Sequence, residues 1–266
     1  MPVGAGLGYM GGMEKKLLPD NDLGGRGAGQ IPLNERLIFA LDLPWPEEAL
    51  AWVDRLGGRI GFFKVGLQLF TAGWWPVVDA IVARGHKVML DLKFYDIPET
   101  VYQAVSQLRE HGVSLATVHG NPPIIAAAVA AGGELRILAV TVLTSFGEEE
   151  LAGMGWRGTA AELVLLRARA ALAAGCAGVV ASAREAALLR RELGPEFLVV
   201  TPGIRPAGPG EAQDDQRRVA TAGAAIAAGA DYLVVGRPIR TAADPAAMVA
   251  ALQQEIAAAL GQKGSN

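Results

Sequence analysis

The feature that most constrains this chain is an alternation of short β-rich runs with Ala- and Leu-rich helical stretches, which begins at Leu37. Parallel strands joined by crossover helices give this pattern. Eight β-rich runs can be counted, at residues 37–43, 61–66, 87–93, 115–120, 136–143, 178–183, 197–204 and 232–238. Eight strands, each followed by a helix, predict an α/β fold of the closed (β/α)8 type, the TIM barrel.

An open, doubly wound sheet also alternates strands with helices, so the alternation alone does not exclude that fold. Such a sheet usually has fewer strands and a glycine-rich turn after the first one, whereas Leu41-Asp42-Leu43-Pro44 contains no glycine. A chain of 266 residues suits a single domain with one large core. We therefore expect one barrel domain over residues 33–262. The glycine-rich residues 1–32 before it predict a flexible extension.

Charge and cysteine content exclude several classes of partner. The chain has 24 basic and 27 acidic side chains, a formal charge of -3, so no basic surface for nucleic acid or anionic membranes is expected. It also lacks an unbroken apolar run of the roughly 18 residues that a membrane span needs. The single cysteine, Cys176, can form no intramolecular disulfide, and its apolar neighbours predict a core residue. These observations favour a cytoplasmic protein.

The run at residues 87–93 ends in charged residues, within Leu90-Asp91-Leu92-Lys93-Phe94-Tyr95-Asp96. Side chains alternate faces along a strand, so Asp91 and Lys93 are expected on the same side, opposite Leu90 and Leu92. Catalytic side chains of a TIM barrel come from the C-terminal ends of strands and the loops that follow. We therefore expect Asp91 and Lys93 to point into the barrel mouth, with Asp96 in the loop.

Two further charges lie near the ends of the neighbouring runs. Asp42 follows the apolar residues of the first run and is expected to end that strand, and Lys64 lies near the end of the second. With Asp91, Lys93 and Asp96 they would converge on adjacent strands. Isolated buried charges are heavily penalised, so these groups must alternate in sign or bind a ligand that completes the set. A structural network of ion pairs is the alternative to a catalytic cluster, which the position at the catalytic rim favours.

The same residues carry a family resemblance. The pattern Asp91-x-Lys93-x-x-Asp96-Ile97-Pro98-x-Thr100 is similar to the signature of the orotidine 5'-phosphate decarboxylase family. Further similar segments follow in order: Ala40-Leu41-Asp42, Lys64-Val65-Gly66, Val140-Thr141-Val142-Leu143-Thr144-Ser145, Thr201-Pro202-Gly203-Ile204-Arg205-Pro206, Asp215-Gln216-Arg217-Arg218 and Val235-Gly236-Arg237-Pro238. The resemblance implies conversion of orotidine 5'-monophosphate to uridine 5'-monophosphate and CO2, the last step of de novo UMP synthesis, without a cofactor or metal ion.

The resemblance also implies roles for the charged residues. Lys93 would stabilise the carbanion that loss of CO2 leaves on the pyrimidine, and would then donate its proton. Asp91 would lie beside the departing carboxylate, while Asp42 and Lys64 would hold ribose hydroxyls. Lys64 and Asp96 would complete an alternating array that keeps Lys93 protonated.

An interface is implied as well, because in this family the residues that match Asp96 and Thr100 reach into the neighbouring subunit's site. The resemblance therefore implies a homodimer in which each site draws on both chains. Nothing in the periodicity of the sequence demonstrates this assembly. The loop after the third strand would have to lie at the interface.

Phosphate binding is implied for residues after the last two strands, where barrels often bind phosphate. Arg205 and Arg237 offer planar forks that match phosphate oxygens, and Gly236 lets a backbone N–H approach closely. The resemblance assigns phosphate contacts to these three and places Gln216 between phosphate and pyrimidine. Solvated surface arginines are the alternative interpretation of Arg205 and Arg237.

The pyrimidine would meet residues at two other strand ends. Thr144 or Ser145 could hydrogen-bond its amide edge, and the resemblance favours Thr144, although hydroxyls at strand ends also cap helices. Pro202 would line the base pocket. His119 is interpreted as a packing residue, because Gly120-Asn121-Pro122-Pro123 departs from the small residues that usually follow this histidine in the family.

Two other functions are alternatives to this one. A metal-dependent sugar-phosphate decarboxylase or aldolase on a related barrel would bind its metal through carboxylates such as Asp42 and Asp91, and should differ at Asp96-Ile97-Pro98. A catalytically silent nucleotide-binding or scaffold barrel would be expected to lose the buried charges, because unpaired charges are costly to keep. The charged residues favour the cofactor-free enzyme.

Overall fold

The computed structural model describes residues 31–206 and 220–263 of the chain. Eight parallel strands close into a barrel, in which consecutive strands pair and β8 pairs with β1. The strands are β1 (Leu37–Ala40), β2 (Phe62–Gly66), β3 (Lys87–Phe94), β4 (Leu115–Val118), β5 (Arg136–Val140), β6 (Gly178–Val180), β7 (Leu198–Thr201) and β8 (Tyr232–Val235). The predicted TIM barrel is therefore confirmed, and the open sheet is excluded.

Helices join the strands across the part of the chain that the structure describes. They are α1 (Leu33–Arg36), α2 (Pro46–Leu56), α3 (Leu67–Ala83), α4 (Pro98–Leu108), α5 (Pro122–Gly132), α6 (Glu148–Gly153), α7 (Ala160–Ala173), α8 (Ala183–Leu193), α9 (Ala222–Ala227), α10 (Arg237–Arg240) and α11 (Pro245–Lys263), with a 3-10 helix at Arg109–His111. Proline occupies the first turn of α2, α4, α5 and α10, where its missing N–H costs no hydrogen bond.

Several strands end earlier than the sequence pattern predicts. β1 ends at Ala40, yet Leu41 and Leu43 beyond it are buried. An apolar run reports burial rather than backbone pairing, so it overestimates strand length where a loop remains packed in the core. The expectation that Asp42 ends the first strand is therefore wrong, because Asp42 lies in the loop that follows β1.

The barrel interior changes character along its axis. An apolar cluster fills it, formed by Ile31, Ile38, Ala40, Phe62, Met89, Leu115, Leu138, Val200, Tyr232 and Val234, and a larger apolar cluster lies between strands and helices. Two residues further along β2, β3 and β4 the same face carries Lys64, Asp91 and Thr117. The C-terminal end of the interior is therefore polar on one side, and this is the end at which TIM barrels carry their active sites.

The predictions for the flanking regions have different outcomes. Ile31 is buried in the interior cluster, so the packed domain reaches at least two residues before the predicted boundary at residue 33. Residues 1–30 lie outside the described residues, and the flexible extension stays a prediction. Cys176 is buried as expected, and burial raises the pKa of its thiol to about 12. Among the described helices none is long and apolar enough to cross a membrane.

Candidate active site

Four charged side chains of alternating sign form one connected charge array at the C-terminal ends of the first three strands. The Lys64 ammonium lies 2.9 Å from Asp42 Oδ1 and 3.5 Å from Asp91 Oδ2. The Lys93 ammonium lies 3.0 Å from the other Asp91 oxygen, Oδ1. The charge array thus runs Asp42, Lys64, Asp91, Lys93, and each buried charge has an opposite charge beside it.

Burial opposes ionisation of the two middle groups, but their neighbours outweigh it. Desolvation raises the pKa of Asp91, whereas the Lys64 and Lys93 ammonium groups and hydrogen bonds from Lys93 and Thr117 lower it, with a net lowering. Desolvation lowers the pKa of Lys64, whereas Asp91 and Asp42 raise it, with a net increase. Both groups are therefore ionised at neutral pH.

Asp91 and Lys93 point to the same side, as predicted, but the backbone between them is not that of a regular strand. Both residues line the barrel mouth, and Leu90 packs on the outer side. Lys93, however, has a left-handed φ of 52°, and the pairing of β3 with β4 shifts register between Leu90 and Phe94. A left-handed φ is uncommon for a residue with a Cβ atom and is often found at functional sites. The direction of Lys93 therefore depends on this irregularity.

Two features around Asp42 keep the array compact. A Cβ atom on Gly66 would lie 3.0 Å from Lys64 Nζ and 3.1 Å from Asp42 Oδ1, so only glycine leaves full room for that ion pair. Arg240 of α10 donates a hydrogen bond to the main-chain carbonyl of Asp42. The loop after β1 is thereby tied to the helix that follows β8.

The charge array faces a cavity of about 210 Å³ at the barrel mouth. A water molecule occupies about 30 Å³ in the liquid, so the cavity has room for part of an organic ligand. Its other walls come from β5 to β8 and the loops after them, with Val140, Val142, Leu143, Thr144, Val180, Pro202, Gly203, Ile204, Arg205, Val234, Gly236 and Arg237. An ionic wall therefore faces an apolar wall across the barrel, with two arginines at the rim.

The structure brings together nine of the residues that the sequence analysis singled out. Asp42, Lys64, Asp91, Lys93, Thr144, Pro202, Arg205, Gly236 and Arg237 all line the cavity. Thr144 lies in this wall, whereas Ser145 is not among the lining residues. Gln216 lies outside the described residues.

Asp96 and Thr100 do not join the charge array within one chain. Both are exposed, and Asp96 Oδ1 accepts a hydrogen bond of 2.7 Å from the Ile97 N–H. Neither residue lines the cavity among the described residues. The expectation that Asp96 converges with the other four charges is therefore wrong for a single chain, because the loop carries it outward.

His119 lies behind the array rather than in the cavity lining. Its ring is 5.8 Å from the Tyr95 ring, and its backbone N–H donates a hydrogen bond to the Phe94 carbonyl at 3.0 Å. Burial and the nearby Arg167 and Lys93 charges lower its pKa, which favours the neutral imidazole at neutral pH. This placement is consistent with the packing role expected from the sequence.

Thr117 is the polar residue that the sequence analysis missed. It is fully buried on β4, donates a hydrogen bond of 2.8 Å to Asp91 Oδ1 and accepts one of 3.0 Å from the Lys93 N–H. One signal was available, since Thr117 is the only polar residue of the run Leu115-Ala116-Thr117-Val118. Its spacing of two from Leu115 places it on the inward face.

Comparisons with known proteins agree with this geometry. The model of the Orotidine 5'-phosphate decarboxylase / HUMPS family matches residues 35–252. The chain belongs to this family. The orotidine 5'-phosphate decarboxylase of Xanthomonas oryzae pv. oryzae strain PXO99A is 52% identical over 240 residues, which are 88% of this chain and 98% of that protein. The enzyme of the same name from Xanthomonas campestris pv. campestris strain 8004 is 51% identical over 237 residues, which cover 87% and 97%.

Two solved structures share the fold of this chain over nearly their whole length. The crystal structure of orotidine 5'-phosphate decarboxylase from Lactobacillus acidophilus has a TM-score of 0.73 and 36% identity, and covers 84% of this chain and 99% of that one. An uncharacterized conserved protein from Geobacillus kaustophilus gives a TM-score of 0.71 and 35% identity, with 83% and 99% covered. Within the family signature from Asp91 to Thr100, Asp91 and Lys93 line the cavity, whereas Asp96 and Thr100 are exposed outside it.

The donor groups at the cavity do not form a metal site. Within residues 31–206 and 220–263, no group of three His, Cys, Asp or Glu side chains is arranged to hold a metal ion. The Lys64 ammonium lies between Asp42 and Asp91, where a metal bridging these two carboxylates would have to bind. The donor set is thus poorly matched to the metal-dependent alternative.

Proposed function

We propose that this protein converts orotidine 5'-monophosphate to uridine 5'-monophosphate and CO2 without a cofactor, as the last step of de novo UMP synthesis. The observation that carries the proposal is the charge array, with the Lys93 ammonium at one end of it and an apolar wall across the cavity. Family membership and the names of the similar full-length enzymes support the same reaction.

The chemistry requires a fixed cation at carbon 6 of the pyrimidine. When the bond from carbon 6 to the carboxylate breaks, the electron pair stays on carbon 6, and the ring offers no conventional electron sink. The Lys93 ammonium stabilises this carbanion and then transfers a proton from Nζ to carbon 6, which yields uridine 5'-monophosphate. The neutral amine regains its proton from solvent. Asp91 forms an ion pair with the Lys93 ammonium at 3.0 Å and so holds it in place before the reaction.

Asp91 also acts on the substrate carboxylate. Two like unit charges 4 Å apart repel by about 4 kcal/mol at an effective dielectric near 20. Lys64 and Lys93 offset part of this repulsion, since each contacts one Asp91 oxygen. Loss of CO2 removes the negative charge that faces Asp91, so the array favours the transition state over the bound substrate.

The remaining cavity residues bind the rest of the nucleotide. Arg205, Arg237 and the Gly236 N–H bind the phosphate, because the loops after β7 and β8 bring them to one rim. Asp42 and Lys64 bind ribose hydroxyls at the other end of the array. Gln216 is assigned to bridge phosphate and pyrimidine on the family resemblance.

The pyrimidine itself lies between these two groups of residues. The Thr144 hydroxyl binds its amide edge, and Pro202 packs on the ring, since both residues line the cavity. The apolar wall across the cavity from Lys93 excludes water from the carbanion, which strengthens its attraction to the ammonium.

We further propose that two copies of the chain form a homodimer in which Asp96 and Thr100 of each copy reach the other's site. Tyr95 and Ile97, which flank Asp96, are 68% and 66% exposed, an apolar rim that a second copy would cover. A mixture of Lys93→Ala and Asp96→Ala chains tests this arrangement. Mixed dimers would contain one intact site, so activity should return on mixing. Failure to recover activity in a mixture shown to exchange subunits would contradict the shared site.

The reaction is tested by the absorbance change of orotidine 5'-monophosphate with purified protein, with and without EDTA. We expect turnover that survives chelation and falls more than about a thousandfold in Lys93→Ala. Lys87→Met is a control, because Lys87 forms another ion pair of the same strand, with Glu35 at the start of β3, away from the cavity. No turnover, or turnover lost with EDTA, would refute the proposal.

A further inference from the structure

The contact between Thr117 and the charge array goes beyond the roles that the resemblance assigns. Thr117 Oγ1 has one proton and donates it to Asp91 Oδ1, at 2.8 Å. The same oxygen accepts the Lys93 backbone N–H at 3.0 Å. One hydroxyl therefore links the side chain of Asp91 with the main chain of Lys93, from a strand that contributes no charge to the array.

The Lys93 backbone needs this acceptor. The register shift between Leu90 and Phe94 interrupts the regular pairing of β3 with β4, and Lys93 adopts its left-handed φ of 52° within the shift. Its N–H bonds to the Thr117 side chain in place of a backbone carbonyl of β4. A buried N–H without a partner is costly, so the hydroxyl stabilises the irregular conformation that directs the Lys93 side chain.

The Asp91 carboxylate is oriented by three groups from three strands. Lys64 of β2 faces Oδ2 at 3.5 Å, while Lys93 of β3 and Thr117 of β4 both contact Oδ1, at 3.0 and 2.8 Å. Asp42 lies beyond Lys64, and His119 lies near Lys93. The two ammonium groups neutralise the Asp91 charge, whereas the Thr117 hydroxyl fixes the orientation of the carboxylate, because a hydrogen bond is strong only near its preferred angle.

We propose that Thr117 is a positioning residue for the decarboxylation, whose hydroxyl orients the Asp91 carboxylate and holds the left-handed backbone of Lys93 so that its ammonium faces carbon 6. This inference rests on the proposed function. Thr117 itself does not line the cavity and is fully buried, so it acts through Asp91 and Lys93 rather than by contact with the substrate.

The test compares three variants in the orotidine 5'-monophosphate assay. Thr117→Val keeps the shape of the side chain but removes the hydroxyl, and Thr117→Ser restores it. Thr141→Val is the matched control, because Thr141 is equally buried and its Oγ1 donates to the Val180 carbonyl at 3.0 Å, not to the array. Thermal melting of all variants shows whether each one is folded.

We expect Thr117→Val to lower kcat by about 10- to 100-fold, as for loss of a hydrogen bond to a charged group, with less than about a threefold change in KM. The acid limb of its kcat–pH profile should also move to higher pH than in the wild type. The reason is that Asp91 loses a hydrogen-bond donor that lowers its pKa. Thr117→Ser should recover most of kcat and the wild-type pH profile, and Thr141→Val should match the wild type.

Each outcome bears on one of the two proposals. A Thr117→Val protein with the kcat and pH profile of the wild type would overturn the positioning role, as would an equal loss in Thr141→Val. If Thr117→Val does not fold, Thr117→Cys carries the same test, since a thiol is a weak donor of similar size. A wild-type protein without turnover would instead overturn the proposed function.

Discussion

Replacement of Lys64 by methionine tests the energetics of the charge array most directly. The Lys64 side chain is 10% exposed and the Asp91 side chain 14%, and their charges lie 3.5 Å apart. At this distance and an effective dielectric near 20, Coulomb attraction is about 5 kcal/mol before desolvation is counted. Asp42 is 51% exposed, so its ion pair with Lys64 adds little to the stability of the fold.

The expected loss is smaller than the full attraction. Removal of one partner from a buried ion pair costs about 3–5 kcal/mol, because the other charge stays buried without its partner. Asp91 keeps Lys93 and Thr117 in the variant. We therefore expect Lys64→Met to lower the free energy of unfolding by about 3 kcal/mol at pH 7, the low end of that range.

The pH dependence of this loss has a definite sign. Asp91 has a lowered pKa in the folded chain, so its stabilisation is present above the unfolded value of about 3.9 and is lost as pH falls through the folded pKa. Lys64 has a raised pKa, so its stabilisation is present below about 10.4 and is lost as pH rises through the folded pKa. The difference in unfolding free energy between the wild type and Lys64→Met should therefore reach its largest value between about pH 5 and pH 10.

Urea unfolding followed by tryptophan fluorescence, at fixed protein concentration and several pH values, measures this difference. Lys87→Met is the control, since Lys87 and Glu35 lie 2.7 Å apart with side chains 11% and 17% exposed. It should lose comparable stability but keep turnover, whereas Lys64→Met should lose both. An equal or higher unfolding free energy in Lys64→Met would refute the reasoning, because desolvation of the ammonium would then outweigh its attraction to Asp91.

Three further predictions follow from the same contacts. Gly66→Ala places a Cβ atom 3.0 Å from Lys64 Nζ, so kcat/KM should fall about tenfold, whereas Gly58→Ala, with nothing within 4 Å of the new atom, should match the wild type in the same assay. Arg237→Ala should raise KM for orotidine 5'-monophosphate by about 10- to 100-fold, as for loss of a charged hydrogen bond, and should leave turnover of the unphosphorylated nucleoside unchanged. Equal losses on both substrates would contradict a role of Arg237 in phosphate binding. Tyr232→Phe should leave the urea midpoint unchanged or higher, because the buried Tyr232 hydroxyl has no hydrogen-bond partner among the described residues. A decrease in the unfolding free energy of more than about 1 kcal/mol would disprove this prediction.

Much of the fold follows from local patterns in the sequence. The barrel was predictable because every β-rich run is followed by a helical stretch, and a closed barrel of eight such units is their usual arrangement. Strand ends were less predictable, since Leu41 and Leu43 are buried in a loop. Apolar residues signal burial whether or not their backbone pairs in a sheet.

The sequence by itself also determined that two of the charges meet. The inward-facing positions of β2 and β3 and the shared C-terminal rim of a parallel barrel are enough to bring Lys64 and Asp91 together, because both rules are geometric properties of strands. These rules do not apply to Asp42 and Asp96, which lie in loops. The loop after β1 keeps Asp42 beside Lys64, whereas the loop after β3 carries Asp96 outward.

Only the tertiary structure decided how the charges are held. The left-handed backbone of Lys93, its bond to Thr117, the space beside Gly66 and the bond from Arg240 to Asp42 have no local signature. Arg240 and Asp42 are 198 positions apart, and Thr117 and Lys93 are 24 apart. Such contacts form because the closed barrel brings distant strand ends within hydrogen-bond distance, so they depend on the packing of the whole domain rather than on any one segment.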